Sequence, residues 1–533
     1  MALVQAKFSD PGVPVHQRQR ALDRALSDPG VPSSNGTTKS FWLNDCDQSL
    51  AAKQSPSLPP TADIVIIGSG ITGISVAHSI LEASDTETET SYALQKPRVL
   101  VLEARDFCSG ATGRNGGHIL ETADEFDELE ATYGLEAAVN ITRFRLSQRG
   151  ALLEVASKLG ISDECQARNV EFFGAYLDEE AWQDAKARVH RLKSALPKET
   201  EAWKMIDKEE IPEVSVILST SCPSSCLITI MCQDYCMPHA RGLMLGPAGA
   251  IWPYKFVAGV FKNLLARYEE RLTLETNTPI LSIDSGTGGT PLTLRTSRGI
   301  VKAHHVIHCT NAHVGHLVPG LRGNIFPMRG QMSAQSPGAK FPHQGTDRSW
   351  LFMYDKGFDY LTQLPCNGQS DGEMMFGGGF AQSEGGGIED LGITTDDALS
   401  LAADIHLSGA LSAVFGRENW GPVNGTAVKQ MWTGNMGFSA DGLPWVGILS
   451  EELTGRKRSA QSDGRSGAEW AAVAYSGEGM VNAWLCGKAL AMMVLQHCTS
   501  EDQVLAPDWF PEQMLITDER IEKSRLPTVV GDL

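Results

Sequence analysis

The sequence predicts an α/β fold, a Rossmann-type dinucleotide-binding unit joined to a β-rich second region, and three observations predict it. A β-branched run, Ile64–Ile67, breaks into Gly68-Ser69-Gly70-Ile71-Thr72-Gly73 and passes into a helix pattern that runs through Leu81. A second apolar strand, Arg98–Arg105, ends in Glu103-Ala104-Arg105. From Phe326 onward, strand patterns at Ser349–Leu364 and Glu373–Phe380 mark a separate β-rich region.

The first run is apolar without alternation, as a strand buried on both faces of a parallel sheet must be. Each glycine after it has a physical role. Gly68 serves the tight turn, Gly70 lets a pyrophosphate approach the backbone, and Gly73 lets helix and strand pack closely. The phosphates then lie against the amide-rich, partly positive end of the helix. Glu103 stands where a carboxylate accepts hydrogen bonds from ribose hydroxyls. An acid at this point favours an unphosphorylated ribose, FAD or NAD over NADP. The interval from Gly73 to Glu103 is about 30 residues rather than the usual ~20. The excess is a polar insert, Ser84–Ser91, which reads as a surface loop.

A chain of 533 residues is too long for one core and predicts two or more domains. Hydrophobic residues make up 42%, yet no apolar run reaches membrane-spanning length. A formal charge of −19 argues against nucleic acid or an anionic membrane as partner. Eleven cysteines is an odd number, and Met1–Leu50 holds no apolar leader core, so reduced thiols and a cytoplasmic location are expected. The final Val-Gly-Asp-Leu533 is not a peroxisomal address.

Residues 1–60 read as an extended, partly disordered arm with Ser40-Phe-Trp-Leu43 as its apolar anchor. Helix patterns follow at Glu128–Leu159, Ala181–Leu196 and Glu209–Val214. Cys222, Cys226, Cys232 and Cys236 crowd the segment 219–238, but their spacing is not that of a zinc site. The segment reads as an insertion loop or as translated intron sequence. Helix Phe256–Arg267 precedes two patterns that alternate like antiparallel strands, Leu272–Ser282 and Leu292–Ile307. His304, His305, His308, His313 and His316 lie on that last strand and its loop, and no metal is expected there. A further helix is predicted at Asp396–Phe415. The chain then runs from strand Trp470–Tyr475 through Ser476-Gly477-Glu478-Gly479 into helix Met480–Gln496, a second turn-to-helix start suited to negative charge.

Together these motifs resemble the FAD-dependent amine and amino-acid oxidoreductases of the D-amino-acid-oxidase superfamily, on the branch of γ-glutamylputrescine oxidoreductase and its fungal relatives. The most specific piece is Ser109-Gly110-Ala111-Thr112-Gly113-Arg114-Asn115-Gly116-Gly117-His118, the loop that passes the flavin in that family. Cys309-Thr310-Asn-Ala312, Pro327–Gln331, Asp359–Gln363 with Phe376–Gly379, Trp432-Thr-Gly434 with Asp441–Pro444, and Ser476–Met480 match in the family's order. The resemblance implies a glutathione-reductase-like FAD-binding domain and an α+β substrate domain built on a large, mostly antiparallel sheet. The former is expected from 61–122, 241–325 and 431–500, the latter from 123–240 and 326–430, with a tail at 501–533. It implies cofactor contacts along Gly68–Gly73, Glu103–Arg105, Ala111–His118, Thr310, Gly434, Asp441 and Gly477–Met480. The loop and the second turn suit a flavin rather than a mobile nicotinamide.

Departures from the family pattern narrow the chemistry. Gln430 stands where sarcosine oxidases bond a cysteine to the flavin, so FAD held without a covalent link is expected, with His118 as the remaining candidate for attachment. Met375 stands where those enzymes place an oxygen-activating lysine, and Met436 where glycine oxidase places its carboxylate-binding arginine. Arg329 is left as either an anion clamp or a structural residue of the turn. The expected reaction is oxidation of a C–N bond in a small amine or amino acid to an imine by hydride transfer to flavin N5, with O2 or another acceptor. Tyr354, Tyr360, Gln363 and Trp432 are the candidates for the substrate side. The alternatives are a flavin-dependent tailoring enzyme of a fungal secondary-metabolite pathway and a catalytically inactive relative.

Overall fold

The computed structural model describes residues 7–8, 10–86, 96–211, 237–286, 292–368, 370–457, 467–498 and 505–532. Two sheets organise them. The first runs in the order Trp445–Ile448, Ala468–Val473, Gly299–His308, Thr61–Ile67, Val99–Leu102 and Leu272–Glu275. Thr61–Ile67 pairs in parallel with both Val99–Leu102 and Gly299–His308, and the parallel pairing continues outward to Leu272–Glu275 and Ala468–Val473. Ile64, Val65 and Ile66 lose all exposure there, which is why their run carries no polar alternation. Helix Ile71–Thr86 follows the glycine turn and packs against helix Ala483–His497.

The antiparallel reading of 272–307 holds only in part. Leu292–Thr296 does pair antiparallel with both Ile280–Asp284 and Gly299–His308. Leu272–Glu275 instead joins the parallel sheet, and the second half of Gly299–His308 becomes its centre. The strand's own pattern shows both lives: its first half alternates, and Val306–His308 is buried throughout.

The second sheet is mostly antiparallel, as expected. Its order is Val428–Ser439, Ile325–Gln335, Met374–Gly378, Phe358–Gln363, Arg348–Met353, Arg168–Tyr176, Gly242–Ala250 and His118–Ile119, with Lys204–Asp207 also on Gly242–Ala250. Arg348–Met353 and Arg168–Tyr176 form the one parallel pairing among its described strands. Gly242–Ala250 and Val428–Ser439 both belong to this sheet. The chain therefore crosses back to the first sheet later than the expected boundaries at 241 and 431.

The leader is more structured than its composition suggests. Val15–Leu26 is a helix whose buried Ala21, Leu22 and Ala25 pack with Phe8 against Phe326, Met328, Leu391 and Val530. Trp42, the expected anchor, is fully buried against Trp252 with ring centroids 5.2 Å apart. A 12-residue helix amid Pro, Ser and Asp is too short to leave a long period in the sequence.

The pattern at 128–159 resolves into two helices, Phe126–Tyr133 and Leu135–Lys158. Helix Leu401–Val414 begins after Asp396, which is instead buried in ion pairs. The cysteine-rich run 222–236, residues 212–214 of the expected helix at Glu209–Val214, and residues 87–91 of the polar insert lie outside the described residues. Among the described residues, no helix is long and apolar enough to cross a membrane, and no group of three His, Cys, Asp or Glu is placed to hold a metal.

Candidate active site

A cavity of about 1250 Å³ is lined from both sheets and from the leader. One end is built by the first glycine turn. Strand Thr61–Ile67 ends at Gly68, whose φ of +109° and closeness to the Cys309 carbonyl (2.8 Å from an added Cβ) leave room for glycine alone. Gly70, Ile71 and Thr72 line the cavity, and a Cβ on Gly70 would stand 3.0 Å from Thr112 Oγ1. Gly73 lies behind them as a packing residue, since a Cβ there would fall 2.0 Å from the Gly68 carbonyl oxygen.

Glu103 lines the same end, together with Ala104 and Arg105. Its Oε2 accepts from the Ser69 N–H (3.0 Å) and hydroxyl (2.8 Å), and its Oε1 from the Arg105 N–H (3.0 Å). Ser69 thus orients the carboxylate rather than facing the cavity itself. Arg105 and Arg114 both pair with Asp396, at 2.8 and 3.1 Å, in a site almost closed to solvent. Thr310 lines the cavity with its hydroxyl buried and without a hydrogen-bond partner among the described residues.

The loop after Glu103 supplies the middle of the lining through Ala111, Thr112, Arg114, Asn115, Gly116 and His118. Gly113 and Gly117 turn away from it, and added Cβ atoms there would meet the carbonyl oxygens of Cys108 and Ile251, each at 2.2 Å. His118 Nε2 lies 2.8 Å from Ser349 Oγ, and burial pushes the imidazole down to about 3, so the ring is neutral. Gly434, Gly477, Glu478, Gly479 and Met480 complete this part. Asp441 is not among the lining residues. It is held by Arg520 (2.6 Å), Ser524 (2.8 Å) and Trp445 (3.2 Å), and it anchors the C-terminal helix Asp518–Lys523.

Of the four candidates for the substrate side, Tyr360 alone lines the cavity. Its ring packs under Gly116 and Gly377, and its hydroxyl points to Met332 Sδ at 3.1 Å. Gln363 cannot join it, because residues three apart on one strand face opposite ways. Gln363 instead accepts from the Gln344 N–H (2.8 Å) and donates to the Gly372 carbonyl (3.3 Å). Tyr354 donates to Asp359 (2.8 Å) beside His406. Trp432 is fully buried and donates its indole N–H to the Arg114 carbonyl (2.7 Å). Arg329 is a structural residue, bound to Asp390 at 2.8 Å.

The far wall was not anticipated. Glu121, Asp124 and Glu125, immediately after the loop, line the cavity with Glu478 and one guanidinium, Arg145. Arg145 lies 2.6 Å from Glu125 and 3.6 Å from Glu121. Burial, with Glu478 and Glu125 nearby, pushes the Glu121 carboxyl up to about 8 despite Arg145. Burial and Glu125 likewise raise Glu478 above the usual carboxylate range. The other two arginines on the lining, Arg105 and Arg114, are matched by Asp396.

The family described as FAD dependent oxidoreductases (DAO) matches residues 63–493. The chain belongs to this family. It is also 22% identical over 444 residues to γ-glutamylputrescine oxidoreductase of Escherichia coli (strain K12), covering 81% of this chain and 84% of that protein. Glycine oxidase from Geobacillus kaustophilus shares its fold with a TM-score of 0.57 at 14% identity, over 86% of this chain and 99% of that one. L-Proline dehydrogenase from P. horikoshii does so with a TM-score of 0.57 at 17% identity, over 88% and 100%.

The protein is therefore an FAD-dependent oxidoreductase, and its cavity fits that cofactor. The narrow passage at Gly70, the carboxylate of Glu103 held ready as an acceptor, and the unpaired hydroxyl of Thr310 suit pyrophosphate, ribose and a further polar group. Glu121, Asp124 and Glu125 escaped sequence reading because Glu121–Glu125 resembles a solvated helix start and Arg145 resembles a helix-surface cation. Only the 2% exposure of Arg145 reveals that its helix face is interior.

Proposed function

We propose that this enzyme oxidises the C–N bond of a small cationic amine, in preference to an α-amino acid. The observation that carries this reading is the far wall, where Glu121, Glu125 and Glu478 face a single guanidinium. An ammonium group entering that wall favours ionisation of Glu121 and Glu478, whereas a carboxylate finds its one guanidinium already paired with Glu125. Met436 lines the cavity where an arginine would be needed to hold an α-carboxylate, and Arg329 is occupied by Asp390.

Bound FAD supplies the two-electron acceptor for hydride leaving the carbon beside the amine nitrogen, with O2 or another acceptor later taking the electrons. The chain's own residues prepare that step. Gly68, Gly70 and Thr72 hold the pyrophosphate against the start of helix Ile71–Thr86, and Glu103 binds the ribose. The turn Gly477–Gly479 brings the start of helix Ala483–His497 to the cavity and stabilises negative charge.

Tyr360 and Met332 form the floor on which the substrate carbon is ordered. Glu478, raised toward neutral pH and close enough for its charge to act on Tyr360, accepts the ammonium proton so that a neutral amine reacts. The product imine is hydrolysed by water to a carbonyl compound and ammonia, or an amine where the nitrogen is substituted.

Non-covalent attachment is supported by two positions. Gln430 is engaged with Asn44 and Lys39 outside the lining, and the His118 ring is hydrogen-bonded to Ser349.

The test is an absorbance spectrum of the purified protein before and after trichloroacetic acid precipitation, followed by anaerobic addition of amines and α-amino acids. Yellow released into the supernatant and bleaching by amines that lack an α-carboxylate are expected. Bleaching by α-amino acids alone would overturn the substrate class, and colour retained in the pellet would overturn non-covalent attachment.

A further inference from the structure

The leader lies ahead of residue 63, where the family match begins, yet it reaches into the cofactor loop. Five successive carbonyls of that loop are tied back by hydrogen bonds. Ser40 Oγ donates to Gly113 (2.6 Å), Trp432 Nε1 to Arg114 (2.7 Å), and Trp42 Nε1 to Asn115 (2.5 Å). Thr362 Oγ1 donates to Gly116 (2.9 Å) and the Ile251 N–H to Gly117 (2.9 Å). Two of the five donors are therefore leader side chains, and both are fully buried.

A planar trans peptide points its C=O and the following N–H in opposite directions. Tying back the Asn115 carbonyl therefore turns the N–H of Gly116 away from the leader, and Gly116 lines the cavity, while the bond to the Gly113 carbonyl fixes the short helical turn Ala111–Arg114 from which the loop departs. A loop whose carbonyls are all engaged presents donors to an acceptor-rich ligand. The leader is itself held from the other side. Thr38 accepts from the Thr433 N–H (3.0 Å) and from Arg114 Nη1 (3.3 Å), and it donates to the Asp396 carbonyl.

We propose that Ser40 and Trp42 are positioning residues for the cofactor, which set the donor face of the loop 113–117 and thereby FAD affinity and the flavin's electronic environment. The proposal rests on FAD occupying this cavity.

The test uses the full chain with its flavin and the double variant Ser40→Ala/Trp42→Phe, which keeps the aromatic packing on Trp252 and removes both donors. Ser40→Thr serves as the conservative control. The flavin dissociation constant, the visible flavin spectrum and the melting temperature at saturating FAD are read together. The double variant is expected to bind FAD about 30-fold more weakly, the effect of two hydrogen bonds of ordinary strength. Its flavin bands shift while its melting temperature, compared at FAD held at the same multiple of each protein's own dissociation constant, stays near that of the wild type, and Ser40→Thr restores the affinity lost by Ser40→Ala.

Unchanged affinity and spectrum would overturn the proposal. So would a melting temperature that falls under that condition with the flavin bands unchanged, since the two residues would then be structural only. A wild-type chain that takes up no FAD would overturn the cofactor assignment itself, a result distinct from both.

Discussion

The two ends of the cavity are built on different principles. At the dinucleotide end, Gly68–Gly73 and Glu103 act through backbone shape and one acid, all within about 35 residues of chain. At the far end, Glu121, Arg145, Tyr360 and Glu478 act through side chains drawn from four separate segments. Pyrophosphate is recognised by amides and by the absence of side chains, so its site is a contiguous pattern. An ammonium is recognised by charged side chains, which any segments can supply once the fold brings them together.

The sharpest way to break this contrast is Gly70→Val. A branched side chain there meets Thr112 and fills the phosphate passage, so flavin retention should fall at least 100-fold (about 2.7 kcal/mol). Normal flavin content in that variant, read from the ratio of visible to ultraviolet absorbance, would remove the cradle assignment.

Trp432→Ala tests whether Trp432 belongs to the structure or to the chemistry. Because its indole is fully buried and holds the loop carbonyl of Arg114, a loss of about 3–5 kcal/mol in denaturant stability is expected. A stable variant with slow turnover would return it to the substrate side.

Glu478→Gln addresses the far end directly. It should leave FAD bound and lower kcat/KM for a cationic amine by about 100-fold, the scale of a lost proton acceptor. Unchanged steady-state kinetics would remove Glu478 from that role.

Glu121 gives a pH signature. Its carboxyl titrates near 8 when folded and near 4.5 in the unfolded chain, so the fold favours the protonated form. That contribution to stability is complete below about pH 4.5 and is lost as pH rises toward 8. Glu121→Gln should therefore gain on the wild type by on the order of 2 kcal/mol at pH 8.5 and not at pH 4.5, measured by urea unfolding. Parallel stability profiles for the two proteins would contradict the burial of this acid.

The smallest effect is expected at Tyr354→Phe. It removes one hydrogen bond to Asp359 outside the cavity, worth about 1 kcal/mol of stability, with kcat unchanged. A fall in kcat would show that Tyr354 reaches the substrate.

Legibility followed the same division. The glycine turn, Glu103, the loop to His118 and the Gly477–Gly479 turn were all readable, because each is a local pattern set beside a strand or helix. Gln363 and Tyr360 were named together, although the period of a strand separates them, and that error was visible in their spacing. Asp441 matched a motif, yet its partner Arg520 lies 79 residues away, and only the fold shows that the pair is structural. The leader's helix and the destination of Trp42 were equally hidden, since neither composition nor periodicity says which surface an aromatic residue will meet.

By itself the sequence carried the glycine turn and acid of a dinucleotide-binding unit and, through its family resemblance, a mostly antiparallel sheet beside the parallel one. Backbone recognition and strand periodicity are properties of contiguous residues, so they survive in one dimension. The tertiary structure alone decided which strand forms the centre of the first sheet, that Asp396 joins Arg105 to Arg114, and that Ser40 and Trp42 of the leader bond to the loop 113–117. It also decided that Glu121, Glu125 and Glu478 line the cavity together with Arg145. Each of these depends on side chains far apart in the chain, whose charge and burial have no meaning until folding places them within a few ångströms of one another.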